Sequence, residues 1–383
     1  MVQLSRPLWG HGSDLGRKRT PWVIGGMAIL GAGAMLAVQA TTMLDDARTP
    51  GIALAVIAFS LIGAGVGAAG TSMLAILASG VAPERRAAAA ATTWIMMVFG
   101  IVISAGTAGA LLDPYSEQRL FVVAGGVVAA AISLTCLAML GLEAKTTGAV
   151  ATENRQPPAT LREAISEILG DPQSRRFTLF IFVSMLAYSM QDLILEPFAG
   201  LVFQMSPGQS TSLSGLQHGG VLVGMIVTGL GGSAFAGRMP IELRVWTMLG
   251  CIGSAVALAG LAMAAQAGPG WPLAANIAAL GFFNGAFAVS AIGSMMGLAG
   301  AGKRTREGVR MGVWGTAQAI AFGLGGLTGA LGVDFVRGAT GQVSQAFQLI
   351  FAFEASLFLI SAILAMRVTY RRAIPAQLGT AGA

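Results

Sequence analysis

Long apolar stretches alternate with short polar segments along almost the whole chain. A membrane-spanning helix needs about 20 mostly apolar residues, and ten stretches meet this requirement. They lie at 21–44, 51–81, 88–112, 120–142, 177–203, 212–236, 245–267, 272–300, 311–334 and 346–366. The pattern therefore predicts an all-α polytopic membrane protein with ten transmembrane helices.

One long polar segment, 143–176, separates the fourth apolar stretch from the fifth. Within it, residues 160–163 (TLRE) form a capping-box pattern, and apolar residues then recur on one helical face. This predicts a short amphipathic helix on the membrane surface. We accordingly divide the chain into an N-terminal four-span bundle (1–142), a cytoplasmic linker (143–176), and a C-terminal six-helix bundle with a short tail (177–383).

The composition agrees with a membrane protein. Charged residues make up 10% of the 383 residues and hydrophobic residues 55%, whereas globular domains carry about 25% charged residues. This balance argues against a disordered chain, a nucleic-acid-binding protein and a water-soluble enzyme. Cys136 and Cys251 lie in apolar runs, so neither a disulfide framework nor a thiolate metal site is expected. No nucleotide-binding loop or catalytic triad occurs, and we predict no enzyme activity and a lipid bilayer as the main partner.

The basic residues predict the orientation in the membrane. With ten spans, 20 of the 23 lysines and arginines fall on one side of the bilayer, and Arg48, Arg119 and Arg337 fall on the other. Because cytoplasmic loops are enriched in Lys and Arg, we predict that both termini are cytoplasmic. The net charge of +6 then reflects topology and not an anionic ligand.

An internal repeat occurs at an offset of 220 residues. Trp94 matches Trp314 and Arg86 matches Arg306, each at the start of a glycine-rich helix. Spans two to four thus correspond to spans eight to ten. Parallel duplication of a six-helix unit is the construction of major facilitator transporters. The repeat predicts that fold with four plus six helices, equivalent to helices 3–12 of the twelve-helix form.

The first 20 residues agree with this numbering. The stretch 10–19 (GHGSDLGRKR) resembles the loop between helices two and three of major facilitator transporters, although one residue is missing from the usual spacing. We therefore expect two further helices before this loop, which implies that the native gene begins upstream or that this is a truncated copy.

By the same resemblance, this loop is a candidate cytoplasmic gating latch in which charge pairing holds one conformation. Glu84, at the cytoplasmic end of the second span, is a candidate partner for Arg17. The alternative is ordinary positive-inside anchoring, which explains the arginines but not the aspartate. The residues assigned to the latch are Gly10, Asp14, Gly16, Arg17, Arg19 and Glu84.

Four stretches, the first of which contains the loop at 10–19, resemble the bacteriochlorophyll-delivery, PucC-like branch of the major facilitator superfamily. The resemblance implies a factor that helps to assemble light-harvesting complexes and that binds or delivers bacteriochlorophyll, with no resident cofactor required. It also implies a bacterial inner membrane, either cytoplasmic or intracytoplasmic, and light-harvesting polypeptides and pigment-synthesis proteins as partners. The stretches are GHGSDLGRKRTPW (10–22), LLDPYS (111–116), SMLAYSMQDLILEPFAGLVF (184–203) and STSLSGLQHGG (210–220).

Three acidic residues lie in the interior of predicted spans: Asp192, Glu196 and Glu354. A charge near the middle of the bilayer costs at least roughly 2.5–3.5 kcal/mol, so each needs a partner, a water-filled cavity or a proton. Asp192 and Glu196 share a helix face and, with the adjacent Gln191, form a candidate site for substrate, pigment or protons. The alternative is that the acids join helices by hydrogen bonds, for example to Gln217 or Asn284.

His218 follows Gln217 in the STSLSGLQHGG stretch. A neutral imidazole can ligate a metal, which makes His218 a candidate axial ligand for pigment magnesium, with Gln217 beside it in the same site. The alternative is a histidine bonded to a backbone carbonyl or to water. No protein metal site of several ligands is predicted.

Two other functions remain open from the sequence. The intramembrane acids also fit a proton-coupled major facilitator exporter of a small amphipathic solute. The shortened first half also fits an inactive truncated copy.

Overall fold

The computed structural model describes most of the helical part of the chain. The described residues are 19–44, 46–80, 86–142, 170, 172–233, 243–300 and 307–367. The predicted linker helix, which begins with the capping box at 160–163 and continues to Leu169, lies outside them.

Within the described residues, ten α-helices occupy the ten predicted positions. Every helix is at least 23 residues long, as a bilayer span requires. They are α1 (Thr20–Met43), α2 (Arg48–Gly80), α3 (Arg86–Leu112), α4 (Glu117–Met139), α5 (Pro172–Phe203), α6 (Pro207–Ser233), α7 (Leu243–Ala267), α8 (Leu273–Gly300), α9 (Glu307–Thr340) and α10 (Val343–Arg367).

Nine of the helices in this part of the chain are long and apolar enough to cross a membrane. The helix outside this set is α6, whose first half carries several Ser, Thr and Gln side chains and His218. A reciprocal capping box starts α6. The backbone N–H of Gln209 donates to Ser206 Oγ at 3.2 Å, and the backbone N–H of Ser206 donates to Gln209 Oε1 at 3.0 Å. The prediction of a polytopic all-α membrane protein is confirmed.

The chain divides into two compact units. The first unit contains Met1–Asn154 together with Gln204–Leu216, and the second contains Arg155–Phe203 together with Gln217–Ala383. The first turns of α6 therefore belong to the first unit and the rest of α6 to the second. The predicted boundaries at 142 and 177 remain a prediction, because most of the linker is outside the described residues.

Small residues allow close helix packing in the first unit. A Cβ atom at Gly26 of α1 would overlap the Ala69 backbone nitrogen of α2. Similarly, Gly109 of α3 lies against Gly208 and Ser212 in the first turns of α6. Nearby, Ser206 Oγ donates to an Asp113 carboxylate oxygen at 2.5 Å, which joins the end of α3 to the start of α6.

The second unit has a core rich in aromatic side chains. Trp314 of α9 packs edge-on against Phe177 of α5, with ring centroids 4.8 Å apart, and its indole nitrogen donates to Thr178 Oγ1 at 3.1 Å. Nearer the other end of α5, Phe198 packs edge-on against Phe351 of α10, with ring centroids 4.9 Å apart. Burial of these rings, together with edge-to-face contacts, holds α5 between α9 and α10.

The two tryptophans of the internal repeat have different surroundings. Trp314 is 1% exposed, whereas Trp94 of α3 is 39% exposed. In the second unit α5 covers the start of α9. The repeated sequence therefore does not produce equal burial.

The α6–α8 contact depends on glycine. Gly220 and Gly224 of α6 face Gly281 and Gly285 of α8, and the backbones of the two helices are in close contact there. A Cβ atom at Gly224 would overlap the Phe282 carbonyl oxygen, and one at Gly281 would overlap the Gln217 carbonyl oxygen. This is the small-residue packing by which helices approach closely in membranes.

We expect Gly224→Ala to destabilise the protein by about 1–3 kcal/mol, because the new methyl group would meet backbone atoms that cannot rotate away. The matched control is Gly219→Ala on the same helix, since no atom lies within 4 Å of the Cβ position there. Thermal unfolding of the two variants in detergent is the measurement. Equal melting temperatures would contradict this account of the α6–α8 contact.

Candidate functional site on helix α5

Two of the predicted acids lie on the exposed side of α5. Asp192 and Glu196 are both exposed, whereas Gln191, Ile194 and Leu195 are buried. Pro197 follows Glu196 inside the helix. A proline has no backbone N–H, so the helix provides no donor for the carbonyl of Leu193. The exposed side of α5 thus combines two carboxyl groups with a backbone acceptor.

Tyr188 extends this polar surface by one helical turn, and the sequence analysis missed it. Its phenol group interacts electrostatically with Asp192, and its ring lies 5.9 Å from that of Phe322 on α9. The spacing of four residues between Tyr188 and Asp192 was the available signal, because residues four apart share a helix face. We call Tyr188, Asp192 and Glu196 the polar stripe.

The polar stripe consists mainly of hydrogen-bond acceptors. No hydrogen bond or ion pair involves the carboxyl group of Asp192 or of Glu196 within the described residues. The suggested partner Asn284 instead accepts a hydrogen bond from Ser254 Oγ at 2.8 Å. Carboxylates in this arrangement can accept hydrogen bonds from a ligand or approach a positively charged centre.

Gln191 and Glu354 occupy a different environment from the stripe. Both side chains are 0% exposed, and they belong to α5 and α10, which pack together. The Glu354 carboxyl group lies against the backbone of Gln191 and interacts electrostatically with Asp192. The structure therefore places Glu354 beside the candidate site, but in the protein interior.

The remaining predicted residues are not brought together by the described structure. Gln217 is buried, with its backbone at the α6–α8 contact, and His218 is partly buried. Arg19 precedes α1, where its carbonyl oxygen accepts from the Trp22 and Val23 amides. The other latch residues, Gly10, Asp14, Gly16, Arg17 and Glu84, lie outside the described residues, so the latch stays a prediction.

No group of three or more His, Cys, Asp or Glu side chains suited to a metal ion occurs in the part of the chain that the structure describes. The acidic residues described on α5 are Asp192 and Glu196.

Comparison with known proteins identifies the family. Residues 1–373 match the family described as "PUCC protein". The chain belongs to the PUCC family. One relative from Rhodobacter capsulatus, named "Bacteriochlorophyll synthase 44.5 kDa chain", is 47% identical over 97% of this chain and 85% of its own length. "Protein PucC" of Rhodobacter capsulatus is 30% identical over 94% of this chain and 79% of its own length.

The fold of this PUCC-family chain is that of major facilitator transporters. A crystal structure of a POT family transporter in complex with 5-aminolevulinic acid superposes with a TM-score of 0.68, covering 96% of this chain and 86% of that one. The sequence identity is 12%, so the likeness concerns the fold alone. The predicted family and fold class are both confirmed, and the chain is a multi-pass membrane protein of a bacterial family.

Proposed function

We propose that this chain is a membrane assembly factor for light-harvesting complexes that binds bacteriochlorophyll and delivers it to partner polypeptides. Membership of the PUCC family over residues 1–373 carries the proposal. The name of the relative that is 47% identical supports the choice of pigment. Light-harvesting polypeptides and pigment-synthesis proteins are the proposed partners.

The polar stripe on α5 is the proposed contact for the polar part of the pigment. A bacteriochlorophyll is largely apolar, so its ring and tail match the lipid-facing apolar surface of a membrane protein, and only a few polar groups need specific partners. Magnesium is a hard cation that prefers oxygen ligands and usually keeps water. In one arrangement, a water is the axial ligand of the magnesium, and Asp192 and Glu196 accept hydrogen bonds from that water. In the alternative arrangement, His218 is the axial ligand.

In this proposal the protein holds and transfers its ligand and catalyses no reaction. The transporter-like fold supports binding and release. The relative's name contains the word synthase, so a synthetic reaction is the competing interpretation. Incubation of the purified chain with pigment precursors distinguishes them, because a synthase converts the precursor and a carrier returns it unchanged.

A second candidate function is proton-coupled export of a small amphipathic solute. The similarity of fold to a POT family transporter and the acidic residues within α5 and α10 favour it. The two functions differ in what copurifies with the chain from pigmented cells. A carrier retains pigment in mild detergent, whereas an exporter of an unrelated solute does not.

We further propose that the chain lies in the bacterial inner membrane with both termini in the cytoplasm, in keeping with the 20 to 3 division of basic residues. A reporter fused after Arg372 is expected to be active in the cytoplasm. A reporter inserted at Gly341, in the exposed turn between α9 and α10, is expected to be active in the periplasm. If the first reporter were active in the periplasm and the second in the cytoplasm, this orientation would be rejected.

Neutralising the stripe tests the pigment contact. We expect Asp192→Asn and Glu196→Gln to reduce the amount of pigment that copurifies per protein. A hydrogen bond to a charged group contributes about 1.5–3 kcal/mol, which corresponds to roughly a tenfold to hundredfold change in affinity. Absorbance of the purified protein in mild detergent, normalised to protein amount, is the measurement.

The matched control for these variants is Asp334→Asn. Asp334 is an exposed carboxylate near the end of α9 that pairs with Arg337 at 3.3 Å, so this change removes one charge far along the sequence from the stripe. Normal pigment content in the stripe variants would remove the stripe from the site. If the stripe variants are less abundant in the membrane but retain a normal amount of pigment per protein, Asp192 and Glu196 have a structural role.

A further inference from the structure

An exposed aromatic side chain on α9 borders the polar stripe. Phe322 is 37% exposed, and its ring centroid lies 5.9 Å from that of Tyr188, with the two ring planes inclined at 47°. Tyr188 in turn interacts electrostatically with Asp192, one helical turn further along α5. Phe322 is therefore linked to the polar stripe through a direct ring contact, although it belongs to a different helix.

Close contacts between α5 and α9 fix the position of Phe322. The residue before it, Ala321, is fully buried, and its carbonyl oxygen accepts a hydrogen bond from Ser189 Oγ of α5 at 3.3 Å. One turn further along α9, a Cβ atom at Gly325 would overlap the same Ser189 Oγ. The two helices thus contact each other on both sides of Phe322, which keeps its ring beside Tyr188.

Phe322 lies on a different side of α9 from the exposed aliphatic side chains of that helix. These aliphatic residues recur at spacings of three and four, so they share one side of the helix, and lipid tails match such a surface. Successive residues of a helix differ in direction by about 100°. Phe322 is two positions from the nearest of them on either side and therefore points about 200° away. The aliphatic residues are Ile320, Leu324, Leu327 and Leu331.

The exposed carboxyl groups of the stripe indicate what this side of the helix pair faces. Ionisable groups within membrane spans are costly against lipid and face the protein interior or a water-filled cavity. Asp192 and Glu196 are exposed, so they need water or a ligand beside them, and Phe322 borders the same space. There is room for a ligand, since no atom lies within 4 Å of the Cβ position of the next residue, Gly323. An exposed ring is a costly contact for water, whereas a flat apolar ligand covers it favourably.

We propose that Phe322 positions the pigment by packing against its planar macrocycle, while the polar stripe contacts the polar groups of the pigment. This inference rests on the proposed pigment-carrying function and adds a residue that selects for a flat, conjugated ring. Aromatic rings gain free energy beyond area burial in offset-stacked or edge-to-face arrangements. Phe322 therefore favours a macrocycle over a lipid tail that buries the same apolar area.

Replacement of the ring by an aliphatic side chain tests this role. We expect Phe322→Leu to weaken bacteriochlorophyll binding roughly twofold to tenfold, which is the effect of losing one aromatic contact. It should also shift the absorption maximum of the bound pigment, because the surroundings of the macrocycle change. Phe322→Trp keeps an aromatic surface and should retain binding. The measurement is a titration of the purified full chain with bacteriochlorophyll in mild detergent, followed by absorbance.

The matched control is Phe335→Leu, the same change at a phenylalanine that is 78% exposed and lies about 20 Å further along α9. It should leave both the affinity and the absorption maximum unchanged. Equal results for Phe322→Leu and Phe335→Leu would overturn the role of Phe322 and leave the pigment-carrying function intact. An equal loss of binding in Phe322→Leu and Phe322→Trp would also overturn it, because the aromatic ring would then not be the deciding feature. If the unmodified chain binds no bacteriochlorophyll, the proposed function is rejected and this inference with it.

Discussion

A polar group in the interior of a bilayer must be paired within the protein or must face water, and this constraint governs the whole molecule. Backbone groups satisfy it by forming helices, which is why the described chain is almost entirely helical. Side chains satisfy it by being apolar, except at a few positions. The exceptions on α5 and α10 are therefore the positions at which a function is expected.

The lipid bilayer also determines how the helices pack against one another. Lipid tails are as apolar as leucine side chains, so burial from water does not drive one helix onto another in the membrane. Contacts instead require atoms that fit closely. Glycine provides the fit where α6 meets α8, and aromatic rings provide it where α5 meets α9 and α10. The polar residues of α5 are consequently held on a well-packed helix.

Two neighbouring residues of α5 illustrate how a helix separates chemical roles. Gln191 is buried and Asp192 is exposed, because successive residues of a helix point in directions about 100° apart. Asp192 and Glu196 are thus exposed, whereas Gln191 and Glu354 are buried. Glu354 interacts electrostatically with Asp192, so a buried titratable group lies next to the polar stripe.

The sequence by itself determined the ten helices, the family and the candidate acids, because hydropathy over 20 residues and the motif around Asp192 and Glu196 are local properties. It could not distinguish exposed from buried polar residues, since that depends on which helix packs on which face. Only the tertiary structure showed that Glu354 lies against Gln191, that Tyr188 joins the stripe, and that Trp314 is buried while its repeat partner Trp94 is not. The physical reason is that packing partners are distant in sequence: α5 and α10 are separated by more than 100 residues and meet only when the second unit is assembled.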